Sequence, residues 1–193
     1  MDVNTNKDAW IETVSGRQFH FLDPQPEEID IGDIAHALSI NNRFTGHTPF
    51  PYSVAEHSIY VSFMVGTDPL MCLTALLHDA SEAYLVDIAS PVKRELSQYR
   101  DLEDRIMSAI SYKFGTYYPL PDIVHKADKE QTFTEAECLM KSKGSTWNFE
   151  LNGVVKHTLR FGYPPMGEPW ESAKTNFLFW FEEYNKLQME LFK

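Results

Sequence analysis

Apolar residues recur at helical spacing along most of the chain. Between Asp30 and Ile40, Ile31, Ile34, Ala35 and Leu38 fall three and four residues apart, which lines one face of a helix. Ser53-x-x-Glu56 reads as a capping box opening a second helix to about Val65. Asp68-Pro69 is an N-cap followed by proline at the first helical position, and predicts a helix through Leu73, Leu76 and Leu77 to about Ala83. Ser90-Pro91 repeats that start signal. Tyr99–Phe114 is amphipathic and stopped by Gly115, and Pro121 opens a further helix reaching about Lys141. Glu171–Phe192 predicts a last helix with a broad aromatic face: Phe177, Phe179, Trp180, Phe181 and Tyr184.

Two stretches break this period. Trp10–Leu22 alternates loosely around the turn signal Ser15-Gly16, predicting a small β-hairpin at 10–14 and 17–22. Asn41–Tyr52, with Gly46, Pro49 and Pro51, reads as a loop. Lys143–Pro169 is rich in glycine and proline and yields no assignment: short strands, a lid and plain loops all fit. The pattern predicts a mostly helical protein with a small N-terminal hairpin. It forms a single domain over 1–193, with the hairpin at 10–22, a helical core at 30–141, and a loop region with the C-terminal helix at 143–192.

Composition narrows the function classes. At 193 residues and 43% apolar content the chain can bury a core without staples. No run approaches the about 18 apolar residues of a membrane span. Met1–Asp8 is polar and lacks the apolar centre of a signal peptide, so a cytoplasmic protein with no membrane partner is expected. Cys72 and Cys138 sit in apolar helical patterns and read as two reduced core thiols. A formal net charge of −11 repels duplex nucleic acid. A small anionic substrate remains accessible where a metal ion overrides the global field.

The chemistry centres on Leu76-Leu77-His78-Asp79-Ala80-Ser81-Glu82. An adjacent imidazole and carboxylate in an otherwise core-like run need a partner, and a metal ion satisfies both. Glu82, four residues after His78, is expected on the same helical face. His57 lies on the preceding predicted helix and Asp128 on a later one. Three converging helices would bring two imidazoles and two carboxylates together. That donor set suits one divalent ion among Co, Mn, Fe, Ni and Zn, with Mg also open, and leaves positions for water and substrate.

The ordered run Ala55-Glu56-His57-Ser58, His78-Asp79-Ala80-Ser81-Glu82, Asp87-Ile88-Ala89-Ser90-Pro91-Val92-Lys93 and Ala127-Asp128 resembles the HD-domain phosphohydrolase superfamily. The similarity covers roughly Asn41–Glu137. It is nearest the branch of YfbR-like 5′-deoxynucleotidases and phage dATP triphosphohydrolases. The resemblance implies an all-α fold and a mononuclear centre with His57, His78, Asp79 and Asp128 as ligands. Arg43-Phe44 occupies the place of that family's arginine and aromatic, with phenylalanine where the deoxynucleotidases carry tryptophan. Arg43 would then hold phosphate oxygens and Phe44 would pack near sugar or base.

These readings assign Glu82 to proton transfer, Asp87 to water or substrate beside the metal, Arg43 to charge stabilisation, and Lys93 and His47 to substrate contact. His125, three residues before Asp128, is expected in solvent. The expected activity is metal-dependent removal of phosphate groups from nucleotides, mono- to triphosphates, with deoxynucleotides favoured. Within the enzyme class, hydrolysis of signalling nucleotides is the alternative. A catalytically idle module binding nucleotide or a protein partner is the alternative outside it, and a purely structural helical protein is a third reading. The resemblance and the aromatic last helix favour a homo-oligomer, a dimer or larger.

Overall fold

Three short polar side chains start the first three helices. Asp30 accepts from the amides of Gly32 and Asp33, Ser53 from that of Glu56, and Asp68 from that of Leu70. Each satisfies amides that have no partner inside the first turn. In the computed structural model, which describes residues 9–145, 147 and 162–191, these helices are α1 (Ile31–Ile40), α2 (Val54–Phe63) and α3 (Pro69–Leu76). They are followed by α4 (Glu82–Leu85), α5 (Ser90–Lys93), α6 (Ser97–Phe114), α7 (Asp122–Leu139) and α8 (Trp170–Leu191). Gly115 closes α6 in the left-handed conformation (φ 68°), as its sequence position predicts.

The described residues are thus mostly helical, with one two-stranded antiparallel sheet of β1 (Ile11–Glu12) and β2 (Gln18–Phe19) in the register Ile11 to Phe19. Both strands are shorter than the predicted 10–14 and 17–22. The hairpin is tied down by Asp33 of α1, which accepts from Thr13 Oγ1 (2.7 Å), Ser15 N (3.0 Å) and Ser15 Oγ (2.7 Å).

One predicted helix is broken. The run expected from Asp68 to about Ala83 ends at Leu76 and resumes as α4. The cause is His78, whose Nδ1–H donates to the Ala75 carbonyl at 2.8 Å. A side chain thereby takes a carbonyl that the next helical turn would have used. His78 and Asp79 consequently sit on a turn between α3 and α4, which turns them toward α2 and α7.

The apolar core lies between α1, α2, α3 and α8. Ile34, Ala35 and Leu38 of α1, Leu73 and Leu76 of α3, and Ala173 and Phe177 of α8 belong to one cluster, all fully buried. The aromatic face of α8 belongs mostly to this core: Trp180 packs edge-on against Phe63 and Phe181 against Phe114, while Phe179 is exposed. Cys72 is buried as expected, but Cys138 is exposed, because α7 turns that side of its last turns to solvent. Much of the unassigned stretch 143–169 lies outside the described residues. Its described end is held by Glu56, which accepts from the amides of Met166 (2.5 Å), Gly167 (3.2 Å) and Glu168 (3.0 Å). Ser53 therefore caps α2 as predicted, but Glu56 leaves the reciprocal half of the capping box. Gly167 has φ 66°, a conformation that other residues adopt only with strain, and a Cβ there would also run into the Phe50 ring, which favours glycine. Among the described residues no helix is long and apolar enough to cross a membrane.

Candidate metal centre

Two imidazoles meet beneath the turn between α3 and α4. His57 Nε2 and His78 Nε2 stand 3.3 Å apart, with both rings buried. Each ring is oriented by its other nitrogen. His57 Nδ1 is 2.6 Å from Glu135 Oε1, and His78 Nδ1 donates to the Ala75 carbonyl. Carbonyl and carboxylate oxygens accept only, so both Nδ1 atoms carry hydrogen and both Nε2 atoms are left to face the same point.

Two carboxylates complete the cluster. Asp79 Oδ2 is 3.1 Å from His78 Nε2 and 3.7 Å from His57 Nε2. Asp128 Oδ1, from α7, is 3.2 Å from His57 Nε2 and 3.9 Å from His78 Nε2. Ligands about 2.1 Å from one ion stand about 3.0–3.4 Å from their neighbours around a tetrahedron or octahedron. The spacings here are those of a coordination shell or slightly wider. His57, His78 and Asp79 alone form a group, with ligand atoms within 4.8 Å of one another, that could hold a metal ion. The predicted convergence of three helices is corrected in one respect: two helices, α2 and α7, and one turn supply the donors.

The centre is asymmetric. The imidazoles are sealed, whereas the side chains of Asp79 and Asp128 remain 22% and 34% exposed. Access is therefore from the carboxylate side. Burial pushes both carboxyls up, but the two histidines outweigh it, holding Asp79 well below the usual range and Asp128 at about 2. Burial and Arg43 push His57 down, while Glu135 and Asp128 raise it more, leaving it at about 9.

Arg43 is drawn into this network. The loop that carries it is closed by an antiparallel bridge between Asn42 and Ser53, with Arg43 N donating to Tyr52 O. Phe44 and Thr45 turn the chain with φ of 55° and 54°, a left-handed conformation that costs about 1–2 kcal/mol per residue. The guanidinium is buried. Its Nε is 2.9 Å from Glu135 Oε2, its Nη2 donates to Thr132 Oγ1 at 2.8 Å, and its Nη1 is 3.6 Å from Asp79 Oδ2. Glu135, fully buried, also accepts from Tyr52 OH at 2.8 Å. Arg43 and His57 overcome the effect of burial and hold the Glu135 carboxyl below its ordinary value.

The other predicted residues are dispersed around the centre. Glu82 starts α4, so it does not share a helical face with His78 as its spacing implied. Its Oε1 meets Lys93 Nζ at 3.3 Å, and its Oε2 is buried with no partner among the described residues. Burial, then Asp79 and Asp87, push the Glu82 carboxyl well above the ordinary range. Asp87 is half-buried and is raised by burial against the opposing pull of Arg43. Lys93 is shared between Glu82 and Glu103 (2.7 Å). The Phe44 ring lies 5.7 Å from that of Trp147, and its face is 5.5 Å from the Arg43 guanidinium carbon. His47 and His125 are exposed, the latter as expected.

Sequence reading missed Glu135, Thr132 and Tyr52. Two of them had a signal: Asp128, Thr132 and Glu135 follow the four- and three-residue steps of one face of α7. Tyr52 had none, being brought to Glu135 from a loop 83 residues away.

No family model matches the chain. It is 37% identical over 139 residues to "Uncharacterized protein YfdR" of Escherichia coli, covering 72% of this chain and 77% of that protein. It is 40% identical over 131 residues to "Uncharacterized protein RCAP_rcc00048" of Rhodobacter capsulatus, covering 64% of this chain and 67% of that one. Such identity over so much of both lengths makes the chain a member of the family of Escherichia coli YfdR.

Proposed function

We propose that the chain is a metal-dependent nucleotide phosphohydrolase of the HD-domain type. The observation that carries this reading is the meeting of His57, His78, Asp79 and Asp128 from distant parts of the chain, with the carboxylate side open. Those four residues would hold one divalent transition ion. When bound, that ion would supply Lewis acidity toward phosphate and a water nucleophile at neutral pH.

The chain's own residues set up the rest. Carboxylates crowd the pocket, so the cations Arg43 and Lys93 would decide where a phosphate can sit among the described residues. Arg43 offers the Nη1 edge, which faces Asp79. Lys93 stands beside Glu82, and its ammonium is held charged by Glu82 and Glu103 against the effect of burial. Phosphate oxygens entering from the carboxylate side would meet these groups. Glu82 Oε2, buried and unpartnered, is suited to hold the proton that the leaving oxygen needs. Asp87 would orient water or substrate at the rim, and Phe44 with His47 would border the sugar and base. The substrate class is nucleoside phosphates, deoxynucleotides foremost.

One observation favours a second reading. Arg43 and Lys93 are already engaged by carboxylates, as in a module that binds without turning over. Product analysis decides between them. Mono-, di- and triphosphates of every base are incubated with the chain and Co²⁺, Mn²⁺, Zn²⁺, Ni²⁺, Fe²⁺ or Mg²⁺ in turn. Release of phosphate or polyphosphate from nucleotides is the expected result. Bound nucleotide without product under every metal would sink the enzyme reading.

A further inference from the structure

The hydrogen bonds of Arg43 run inward, to Glu135 and Thr132. Its three nitrogens address three different donors of the candidate centre. Nε holds Glu135 Oε2 (2.9 Å), while the other oxygen of that carboxylate holds His57 Nδ1 (2.6 Å). Nη2 donates to Thr132 Oγ1 (2.8 Å), whose hydroxyl donates in turn to Asp128 Oδ1 (3.2 Å). Nη1 lies 3.6 Å from Asp79 Oδ2. The donor directions are self-consistent, because the Thr132 hydroxyl has one hydrogen to give and accepts from Arg43. A planar fork with fixed N–H directions reaches three such partners from three separate nitrogens, where an ammonium would have to meet them from one.

We propose that Arg43, clamped by Glu135, is the positioning residue of the metal centre. It fixes His57 and Asp128 through hydrogen-bonded relays, and draws Asp79 by charge alone, before any substrate arrives. This rests on the metal-binding half of the function proposed above. Ligands released from that frame would have to be ordered by the ion itself, at a cost in affinity. A residue that only contacts substrate would leave metal binding untouched in the absence of nucleotide, whereas a positioning residue would not.

The experiment is a Co²⁺ titration of the full chain without nucleotide, following the d–d absorption bands. Arg43→Lys keeps the charge but loses the fork, and Thr132→Val removes only the relay to Asp128. For Arg43→Lys the expected result is metal affinity about 10–100-fold weaker, with altered d–d bands. Thr132→Val should show a smaller loss of affinity. Wild-type Co²⁺ affinity and bands in Arg43→Lys, with a raised KM alone, would overturn the proposal in favour of a phosphate contact. Should Arg43→Lys fail to fold, judged by near-UV circular dichroism, Thr132→Val decides: weakened binding supports the relay, and unchanged binding overturns it. Wild-type protein that binds Co²⁺ but hydrolyses no nucleotide would remove the proposed activity and leave this test intact.

Discussion

Two of the helices packed against α2, namely α8 and α7, differ in character. Toward α8, helix α2 presents apolar and aromatic surface: Phe63 packs against Trp180, and a polar contact joins Ser62 Oγ to Tyr184 OH at 3.0 Å. Toward α7 it presents His57, set among Glu135, Asp128 and Arg43. The first interface removes hydrocarbon from water, which favours folding and tolerates many shapes. The second buries ionised groups, whose desolvation offsets most of their attraction, so it adds little net stability. What it supplies is fixed geometry. The difference teaches that stability and site precision are carried by opposite faces of one helix, and can be perturbed separately.

The strongest way to sharpen that contrast is Asp79→Ala. It should abolish metal binding and nucleotide hydrolysis together, read by metal content after dialysis and by phosphate release, while the protein stays folded. Glu82→Gln should keep the metal and slow turnover by about 10²–10⁴; full turnover would remove Glu82 from proton transfer. On the other face, Phe177→Ala should cost about 3–5 kcal/mol in denaturant unfolding through the cavity it leaves. The folded fraction of that variant should bind metal as wild type does. A comparable fall in metal affinity would break the claim of separable faces.

A pH series distinguishes the faces without mutation. His57 in the metal-free protein stands at about 9, above its ordinary 6.5. Its protonation therefore stabilises the metal-free fold fully below about 6.5, and that contribution is lost as pH rises through about 9. A metal must displace the same proton, so apparent affinity should rise about tenfold per pH unit up to about 9 and then level off. Isothermal titration with Zn²⁺ or Co²⁺ at several pH values reads the affinity, and thermal unfolding of the metal-free protein reads the opposite trend. The smallest expected effect is Phe179→Ala. Two residues from Phe177 but facing solvent, it should change stability by no more than about 0.5 kcal/mol.

Much of the helical frame was legible from local signals. Asp30, Ser53, Asp68-Pro69 and Gly115 each mark a helix end that is where the sequence put it, because a cap acts within one turn of its own residue. The failures are tertiary. The predicted helix to Ala83 stops at Leu76, since the direction of the His78 ring depends on what lies opposite. Glu82 leaves the face its spacing assigned for the same reason. The Glu56 carboxylate abandons its own cap for amides 110–112 residues away.

Residue by residue, the centre divides the same way. His78 and Asp79 could be singled out in the sequence, because an imidazole and a carboxylate in an apolar stretch demand a partner wherever they end up, whereas His57 and Asp128, the latter among charged neighbours, were marked by the order of the motifs. The helical period, the caps and that demand were settled by the chain alone, being properties of neighbours in sequence. Which carboxylate orients His57, and that Arg43 turns its three nitrogens inward, were decided only by packing. Those contacts join residues up to 92 positions apart, and no local rule reaches across that separation. The physical reason is that a buried charge fixes how many partners it needs, while the fold alone chooses which.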